Sequence, residues 1–492
     1  MLEITLYNKI AEIMKKHISN VSFDNADMLL QNKHRESEMI PYFIVSLFEK
    51  LNYLFKIHRG EEIYLKRIRK IFTKEVDPTY AWRFNFQMPK HEFEIYFPIV
   101  NYDGTILLHG NKYVLIYQMI DKPIFWKKQS VNLQTNVGFQ IRTIDLLQPE
   151  TIKSFKPVKI AVSNNKNHIL APLFFIATMG LNKVEEFLGV KLNIPDLNQN
   201  IGEAFQNQSF TWEVVDSKKY SQWNLQQIER FLQSFYYLPE VHGNKAPGLS
   251  RGKVEKLLDQ EFYTKIYNKI SGTKDLNWLN ANIKSLEAFD PFTYQFIDYD
   301  GDLIKSFLSI MLKDKPNFLD VSNKRIRLME IYLSKLLTYL YNLSVSLIMG
   351  KRIDLRSMQK FRIDDIVTTS QLSMFNYRFN SMMNLSESAK LTQVGELGLN
   401  RESFMHRRSV HESQYGYLCP ISTPDRENCG VVLHLALFSK KDFSKFYKWP
   451  EISNSERLPL KKIEEMPKEL DIASQTIKKQ SKEELEKEIF KE

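Results

Sequence analysis

Hydrophobic residues recur at helical spacing near the start of the chain. Between residues 40 and 56 the apolar positions lie three or four residues apart, as in a helix that turns one face to a core: Ile44, Leu47, Phe48, Leu51, Leu54 and Phe55. We therefore predict that residues 1–75 are mostly helical. Segment 61–74 mixes lysines and arginines with aliphatic residues, which fits a solvated helix face or a face that contacts nucleic acid.

The hydrophobic period changes to that of strands between residues 92 and 119. Three short apolar runs, FEIYFPIV, TILLHG and KYVLIYQM, are separated by NYDG and HGN, which are turn sequences typical of β-hairpins. A further apolar run at 431–439 also fits a strand. Helical and strand patterns in one chain of 492 residues predict an α+β protein with several domains.

The central part of the chain, residues 125–315, has a weaker pattern. Segment 139–147 fits a pair of strands, and 169–188 fits two helices, the second running from about Asn182 to Gly189. Segments 195–215 and 239–251 are predicted loops, 223–237 is a predicted helix, and helices are expected up to Met311. A long apolar helix is predicted after Asn323, a residue suited to a cap or turn, and should run to Leu343 or beyond.

The composition favours a globular protein with an anionic partner. Hydrophobic residues make up 43% of the chain, which is enough for real cores. The 68 basic residues exceed the 58 acidic ones by 10, a balance that favours nucleic acid or another polyanion. Two cysteines exclude a disulfide scaffold. The most apolar run, 336–349, is interrupted by polar residues and is shorter than a bilayer span, so we expect a soluble, cytoplasmic protein.

Cations and backbone-shaping residues are concentrated between residues 399 and 430, in LNRESFMHRRSVHESQYGYLCPISTPDRENCG. Three planar guanidinium groups there suit phosphate oxygens: Arg401, Arg407 and Arg408. The backbone is shaped by residues whose φ is unusually free or fixed, namely Gly416, Gly430, Pro420 and Pro424. Such an irregular cationic surface suits a polyanion better than a small molecule.

This stretch resembles the signature of the second-largest, or beta, subunit of multisubunit DNA-directed RNA polymerases. In that family an Arg and a Val-His pair precede an aromatic-Gly turn, a Cys-Pro pair and a Thr-Pro-acidic run that closes on Asn, one residue and Gly. The matching residues are Arg408, Val410, His411, Tyr415, Gly416, Cys419, Pro420, Thr423, Pro424, Asp425, Asn428 and Gly430. The chain departs from the family where Asp425 replaces a usual Glu, Arg426 a usual Gly and Ser422 a common Glu.

Three other segments resemble the same family and occur in the same order. A Phe-Pro, Gly-Thr and Gly-x-x-x-Val pattern followed by Gln is matched by Phe97, Pro98, Gly104, Thr105, Ile106, Gly110, Val114 and Gln118. A basic segment is matched by Asn323, Lys324, Arg325, Ile326 and Arg327, whose arginines either pair with acids inside the protein or contact nucleic acid. Ser370-Gln371-Leu372 resembles a Ser-Gln near the start of the family's fork region.

The resemblance implies an α+β multidomain fold, with protrusion and lobe domains followed by a fork region, as in RNA polymerase beta subunits. The expected boundaries are 1–125 for the first part of the protrusion, 126–315 for the lobe and 316–362 for the protrusion's return segment. Residues 363–445 would form the fork and active-centre-proximal region, and 446–492 a charged tail. The similarity covers the family's N-terminal half, which suggests a naturally split subunit of the kind found in large bacteriophages.

The resemblance also implies a role in positioning nucleic acid or nucleotide rather than in catalysis by this chain alone. The nucleotide-proximal candidates are Arg401, Arg408, His411, Asp425, Asn428 and Gln371, and the loop-shaping candidates are Gly416, Pro420, Pro424 and Gly430. Arg408 would contact phosphate or order the loop. His411 would be a hydrogen-bonded scaffold group or a direct contact.

The expected enzyme is a DNA-directed RNA polymerase, a nucleotidyltransferase, and this chain would be active only within the complex. The Mg²⁺ ions would be held by the largest subunit. The expected partners are the C-terminal half of beta, the largest (beta-prime) subunit or its fragments, a promoter-specificity factor, template DNA and nascent RNA, in the cytoplasm of the cell or of a host. The alternative is a non-enzymatic nucleic-acid-binding or virion structural protein with a polymerase-like surface.

Three other chemistries fit the residues less well. A zinc site could draw on His406, His411, Cys419 and Cys429, but the spacing lacks paired ligands. A hydrolytic triad of Ser413, His411 and Asp425 has only proximity in sequence in its favour. The alternating acids Asp298, Asp300 and Asp302 fit a cation site or, better, a turn with solvated carboxylates.

Overall fold

The computed structural model describes residues 24–72, 79–88, 91–101, 104–147, 154–163, 167–247, 249, 252–353, 364–376, 386–387, 389–398, 408–424 and 426–436. Helices and strands are mixed along the chain, which confirms the predicted α+β class. The α-helices are α1 (Asp24–Arg59), α2 (Ala171–Met179), α3 (Leu181–Leu188), α4 (Ile201–Gln206), α5 (Ser217–Tyr220), α6 (Leu225–Tyr236), α7 (Leu238–His242), α8 (Gln260–Ser271), α9 (Leu276–Phe289), α10 (Pro291–Tyr294), α11 (Leu303–Leu312), α12 (Met329–Ile348) and α13 (Asp364–Thr369).

The strands are β1 (Tyr64–Phe72), β2 (Tyr80–Met88), β3 (His91–Pro98), β4 (Thr105–Leu108), β5 (Asn111–Leu115), β6 (Tyr117–Asp121), β7 (Ile124–Lys127), β8 (Ser130–Gln134), β9 (Gln140–Ile144), β10 (Lys159–Val162), β11 (Ile169–Leu170), β12 (Val190–Asn193), β13 (Thr211–Val214), β14 (Lys324–Arg327), β15 (Ser373–Phe375), β16 (Lys390–Thr392) and β17 (Val432–His434). Their sheets have the orders β1-β2-β3, β11-β10-β9-β8-β7, β12-β13, β14-β6-β16-β17 and β15-β5-β4.

The predicted core-facing helix near the start of the chain is confirmed as α1. Its apolar stripe is buried, and Phe48 stacks on Phe86 of β2 with ring centroids 3.9 Å apart. The expectation that residues 61–74 continue as helix was wrong, because 64–72 form β1. In this strand Ile68 is buried, and the basic residues Arg67 and Arg69 flank it, an alternation that the many basic residues obscure in the sequence. The antiparallel strand β2 pairs with β1 and stabilises it.

The predicted hairpin strands between residues 92 and 119 are confirmed. Leu108 pairs with Asn111, so β4 and β5 are joined by a two-residue turn in which His109 and Gly110 both have positive φ, 49° and 76°. This is the geometry that two-residue hairpins prefer. The NYDG turn lies partly outside the described residues. The continuous strand run is divided after Leu115, so that β5 joins one sheet and β6 another.

The central part of the chain packs helices against the five-stranded antiparallel sheet β11-β10-β9-β8-β7. The predicted helix pair in 169–188 is confirmed as α2 and α3, and α3 ends at Gly189 in the left-handed conformation. Helix α6 confirms the prediction for 223–237, and 254–312 is largely helical as expected.

Three predictions for this part were wrong. Segment 139–147 holds the single strand β9, since its partners β8 and β10 come from either side in sequence. Segment 195–215 contains α4 and β13. Helix α4 buries Ile201 and Phe205, and β13 pairs with β12, and these interactions outweigh the loop preference of the Asn and Gln residues. Segment 239–251 begins inside α7, where Pro239 occupies a first-turn position that tolerates proline.

Helix α12 is the long apolar helix predicted after residue 323, but Asn323 does not cap it. Asp320 caps a short 3₁₀ turn, β14 follows, and the helix begins only after Leu328. By length and composition α12 alone, among the described helices, could cross a membrane, which the sequence pattern had not indicated. About 67% of its most apolar window is buried, and it packs between α1 and α9 as a core helix.

The segment leading to residue 399 is held by side chains from distant segments. It follows strand β16, and within its described residues 393–398 the carbonyls of Val394 and Glu396 accept from Gln118 and Arg327. Strand β17 confirms the strand prediction for 431–439 within the described residues.

Candidate nucleic-acid interface

Strand β6 joins segments that are far apart in sequence and that all resemble the same family. It pairs antiparallel with β14 and parallel with β16, and β16 pairs with β17. In register, Gln118 stands between Arg327 on one side and Thr392 on the other. The strand that follows the hairpin, the basic segment and the two strands that flank the 399–430 stretch therefore meet on one four-stranded sheet.

Gln118 is the central polar residue of this sheet and is fully buried. Its Nε2 donates to the carbonyl oxygens of Val394 at 3.0 Å and Glu396 at 3.2 Å, and its Oε1 accepts from Arg327 Nε at 2.7 Å. Arg327 Nη2 also donates to the Glu396 carbonyl. A buried amide with all these partners fixes loop 393–398, because leaving any of them unpaired in the interior is costly.

The loop approaches Gln118 closely because two of its residues are glycines. A Cβ on Gly395 would lie 3.0 Å from Gln118 Nε2, and one on Gly398 would lie 2.7 Å from the same atom. The loop then supports the next segment, since Gln393 N donates to Val431 O at 2.9 Å and Gln393 Nε2 donates to Gly430 O at 3.4 Å.

The basic segment is internal, so of its two interpretations the pairing with acids inside the protein is the one supported. Arg325 Nη1 lies 3.2 Å from Glu330 Oε1, and both side chains are almost fully buried. Asn136 Oδ1 accepts from Arg325 at 3.3 Å and from Arg327 at 3.1 Å, while Asp290 accepts from the Asn136 backbone and amide. Neither arginine is placed to contact nucleic acid.

The pKa values of these groups reflect their burial. Burial raises the pKa of Glu330, against the opposing effect of the two guanidinium groups, and burial raises the pKa of Asp290 in the same way. Burial lowers the pKa of Arg327 to about 10, partly offset by Glu330. These buried charged groups therefore have a structural role, which is to fix β14 against β6.

The described part of the 399–430 stretch begins at Arg408, and we refer to residues 408–430 as the turn. Arg408 binds the far end of this turn. Its Nη1 donates to the carbonyl oxygens of Glu427 at 2.6 Å and Cys429 at 3.3 Å. Gly430 has φ of 69°, and a Cβ there would lie 2.5 Å from the Arg408 carbonyl oxygen. Of the two predicted roles of Arg408, this geometry supports ordering the loop, and it explains why glycine is needed at 430.

His411 braces the turn rather than facing outward, which supports its predicted scaffold role. Its Nδ1 lies 2.8 Å from Ser413 Oγ and accepts from Ser413 N at 3.2 Å, and Ser413 Oγ accepts from Val321 N at 3.0 Å. Burial tends to raise the pKa of Asp320. Hydrogen bonds from Ser322 and Ser413 and the charge of His411 outweigh burial, so the pKa of Asp320 is lowered. Ser413 is thus occupied in joining the turn to 320–321, and Asp425 lies outside the described residues.

The remaining predicted residues form the outer side of the turn. Asn428, Gly416 and Pro420 are exposed, Pro424 is half-buried, and Gly416 has φ of 87°. Beside them the side chain of Ile421 is 88% exposed. Cys419 Sγ accepts from Ser422 N at 3.4 Å, and His434 Nδ1 is 2.9 Å from Ser422 O. In the part of the chain that the structure describes, no group of three or more His, Cys, Asp or Glu side chains could hold a metal ion.

Gln371 is exposed on a different segment from the turn. Its neighbour Leu372 accepts through its carbonyl from Ile116 N at 2.9 Å and from the Tyr332 hydroxyl at 3.1 Å. The Leu372 side chain lies against Gly395 in the loop that supports the turn. Arg401 lies outside the described residues, as do His406 and Arg407. Leu372 and the turn therefore both contact segment 393–398.

Sequence reasoning missed Gln118, Gln393 and Asn136 as organising residues. Gln118 was noted only as part of a family pattern. The available signal was a long polar amide between Tyr117 and Met119, inside an apolar strand run. Such a position predicts a buried amide with several partners, although not which partners.

Comparisons with known proteins agree with the resemblance. The family model RNA polymerase Rpb2, domain 3, matches residues 374–440. The beta subunit of DNA-directed RNA polymerase from Euglena longa is 25% identical over 367 residues, which is 69% of this chain and 31% of that protein. The one from Gracilaria tenuistipitata var. liui is 22% identical over 392 residues, 72% of this chain and 32% of that protein.

A shorter match, to the beta subunit of Mycoplasmopsis pulmonis, is 36% identical over 107 residues, covering 22% of this chain and 9% of that protein. The chain thus spans about a third or less of the curated relatives described here. These findings define it as a relative of multisubunit RNA polymerase subunits. Within that class it is similar to a segment of the beta subunit, so the predicted resemblance is confirmed.

Proposed function

We propose that this chain works as a beta-subunit segment of a multisubunit DNA-dependent RNA polymerase, where it lines the nucleic-acid cleft and positions template and nucleotide. The observation that carries this proposal is the sheet β14-β6-β16-β17, in which separate family-like segments meet around Gln118. Two of its strands fall within the residues matched by the Rpb2 domain.

The chain's own residues contribute shape and hydrogen-bonding groups. Arg408 closes the backbone of the turn, and His411 and Ser413 fasten it to residue 321. This leaves Asn428 exposed, and its amide can donate to a phosphate oxygen or can both donate to and accept from a base edge. A positioning surface of this kind acts by holding reactants in line, which is a large part of catalysis in phosphoryl transfer.

The metal ions belong elsewhere in this proposal. Mg²⁺ in polymerases activates the attacking oxygen and stabilises the leaving pyrophosphate. The described residues of this chain do not provide a carboxylate cluster for it. We therefore assign the ions to the largest subunit.

The proposed assembly follows the resemblance. Its other members would be the C-terminal half of beta, the beta-prime subunit, a promoter-specificity factor, template DNA and nascent RNA, in a cytoplasm. Within this chain, 1–125 and 316–362 would form the protrusion, 126–315 the lobe and 363–445 the fork, with 446–492 as a tail. A split subunit encoded by a large bacteriophage is part of the same proposal.

The test is purification of the tagged chain from its native source, with partner identification by mass spectrometry and an assay of RNA synthesis on a DNA template. We expect a beta C-terminal half and a largest subunit to co-purify, together with activity. Arg408→Ala should abolish that activity, because it removes the Nη1 atom that donates to the carbonyls of Glu427 and Cys429.

The matched control is Arg59→Ala, which also removes an arginine bonded to a backbone carbonyl, that of Lys351 at 3.2 Å. It should leave RNA synthesis unchanged. Recovery of the chain alone, binding nucleic acid but making no RNA, would refute the proposal in favour of a non-enzymatic binding or virion protein.

A further inference from the structure

The five strands of the sheet β11-β10-β9-β8-β7 contain no acidic residue. Their charged residues are Lys127, Arg142 and Lys159, and Lys127 and Arg142 are exposed. In cross-strand register, Asn132 lies opposite Phe125 on one side and Arg142 on the other. Side chains that alternate along strands share a face, so this face of the sheet carries positive charge together with amide groups.

A cavity of about 640 Å³ opens at the β7–β8 turn on this face. Among the described residues its lining includes one acid, Asp145, and four exposed cations, namely Lys127, Lys128, Arg142 and Lys156. Amide and hydroxyl groups of Gln129, Ser130 and Asn132 complete its polar wall. Lys127 and Arg142 form no ion pair with a carboxylate of the described residues.

The backbone of the cavity wall is fixed by the side chain of Arg230. The guanidinium group of Arg230 donates to the backbone carbonyls of Asp145 at 2.8 Å, Leu146 at 2.8 Å and Lys156 at 2.9 Å. Lys128 and Asp145 adopt positive φ of 56° and 58°, so both turns at the rim have a defined, unusual backbone conformation. The cations therefore extend from a fixed frame.

Two cations of the sheet also act on a neighbouring histidine. Burial lowers the pKa of His168, and the charges of Arg142 and Lys159 lower it further, against the opposing charge of Asp145.

We infer that this cavity binds the phosphodiester backbone of a nucleic acid. Lysine and arginine with serine, asparagine and glutamine are the side chains that usually contact phosphate. The described part of the lining has no aromatic ring on which a base could stack. Ile144 and Leu147 are the large apolar residues among these described lining residues, which argues against the apolar or aromatic anchors of a protein interface.

This surface extends the proposed function and does not depend on it. The cavity residues lie outside the 374–440 match and include none of the predicted site residues. Binding here would be insensitive to base sequence, because backbone contacts carry no sequence information directly.

The test is a titration of the full chain with a fluorescein-labelled short DNA duplex over a range of salt concentrations. The double variant Lys127→Gln/Arg142→Gln should bind about tenfold more weakly at low salt. The slope of log affinity against log salt should fall by about 2, as two phosphate contacts are lost. The matched control Lys183→Gln/Lys191→Gln removes two exposed lysines of α3 and β12 and should behave as the unmodified chain.

Three outcomes would overturn the inference. Equal affinity and slope for the two double variants would mean that the cavity is not the DNA contact. Competition by inorganic tripolyphosphate as effective as that by unlabelled DNA would identify a free polyphosphate as the ligand. Equally effective competition by polyglutamate would identify an acidic polypeptide. Because no RNA synthesis is measured, these results are independent of the polymerase proposal.

Discussion

Arg327 donates from Nε to Oε1 of Gln118 at 2.7 Å, although the two residues are 209 positions apart in sequence. Both are buried, and both also bind the carbonyl of Glu396. One side-chain pair therefore fixes three segments relative to one another. The candidate interface depends on this pair because loop 393–398 supports Gly430 and Val431.

Replacing Gln118 by methionine should destabilise the fold by about 2–4 kcal/mol. The variant keeps the volume of the side chain but leaves the Val394 carbonyl and the Arg327 Nε–H without their partner in the interior, and it leaves the Glu396 carbonyl with Arg327 alone. Urea unfolding followed by tryptophan fluorescence measures the change. Gln140→Met, on an exposed position of β9, is the control and should change the free energy of unfolding by less than about 0.5 kcal/mol.

Glu330→Gln should cost about 3 kcal/mol or more, since it leaves Arg325 and Arg327 buried beside a neutral amide. Thermal unfolding monitored by circular dichroism should show a clearly lowered Tm. The comparison variant is Glu261→Gln, whose ion pair with Lys265 has both side chains 68% exposed, and no measurable shift is expected there. Equal Tm values for the two variants would contradict a structural role for the buried cluster.

Local patterns predicted those elements whose signals are local. The β4–β5 hairpin follows from its turn residues, and α3 follows from its apolar spacing and the terminating Gly189. The role of Arg325 and Arg327 could not be read from sequence, because it depends on Asn136 and Glu330 reaching them in space. Strand β1 was missed because its partner β2 supplies the pairing that its own charged sequence does not indicate.

The candidate site shows the same division. The family-like pattern identified the residues of the 408–430 turn, but it did not reveal that Arg408 is used on backbone carbonyls. Nor did it reveal that Gln118 carries the loop behind the turn. Both facts are long-range contacts, and sequence spacing contains no information on which distant carbonyl a side chain meets.

Gly430→Ala should open the turn. Its φ of 69° is unfavourable for alanine, and the new Cβ would lie within 3 Å of three Arg408 atoms, two of them backbone. We expect the opening free energy of segment 408–436 to fall by about 2 kcal/mol or more, which gives about 30-fold faster hydrogen exchange. Mass spectrometry of peptides from this segment measures the rate.

The control for the backbone penalty is Gly60→Ala, with φ of 67° and no atom within 4 Å of the new Cβ. It should leave exchange in 408–436 unchanged and destabilise the end of α1 by about 1 kcal/mol. Unchanged exchange in Gly430→Ala would show that the close approach of Arg408 does not hold the turn.

The stability of the protein should rise with pH between 7 and 9 because of Lys33. This lysine is fully buried, donates to Leu115 O at 2.8 Å and lies over the ring of Tyr117. Burial lowers the pKa of Lys33 to about 7, against the opposing charge of Glu36. In this pH range the unfolded chain therefore binds more protons than the folded one, and the free energy of unfolding increases with pH, by about 2 kcal/mol.

Lys33→Met should remove this increase, since methionine fills the site without a titrating group. The measurement is the difference in urea unfolding free energy between variant and unmodified chain at pH 7 and pH 9, which cancels the titration of all other groups. Burial also raises the pKa of Tyr117 well above its usual value, so its opposing effect begins only at higher pH. Lys56→Met, at the exposed end of α1, is the control and should retain the full pH dependence. If Lys56→Met also lost the pH dependence, the dependence would belong to a group other than Lys33.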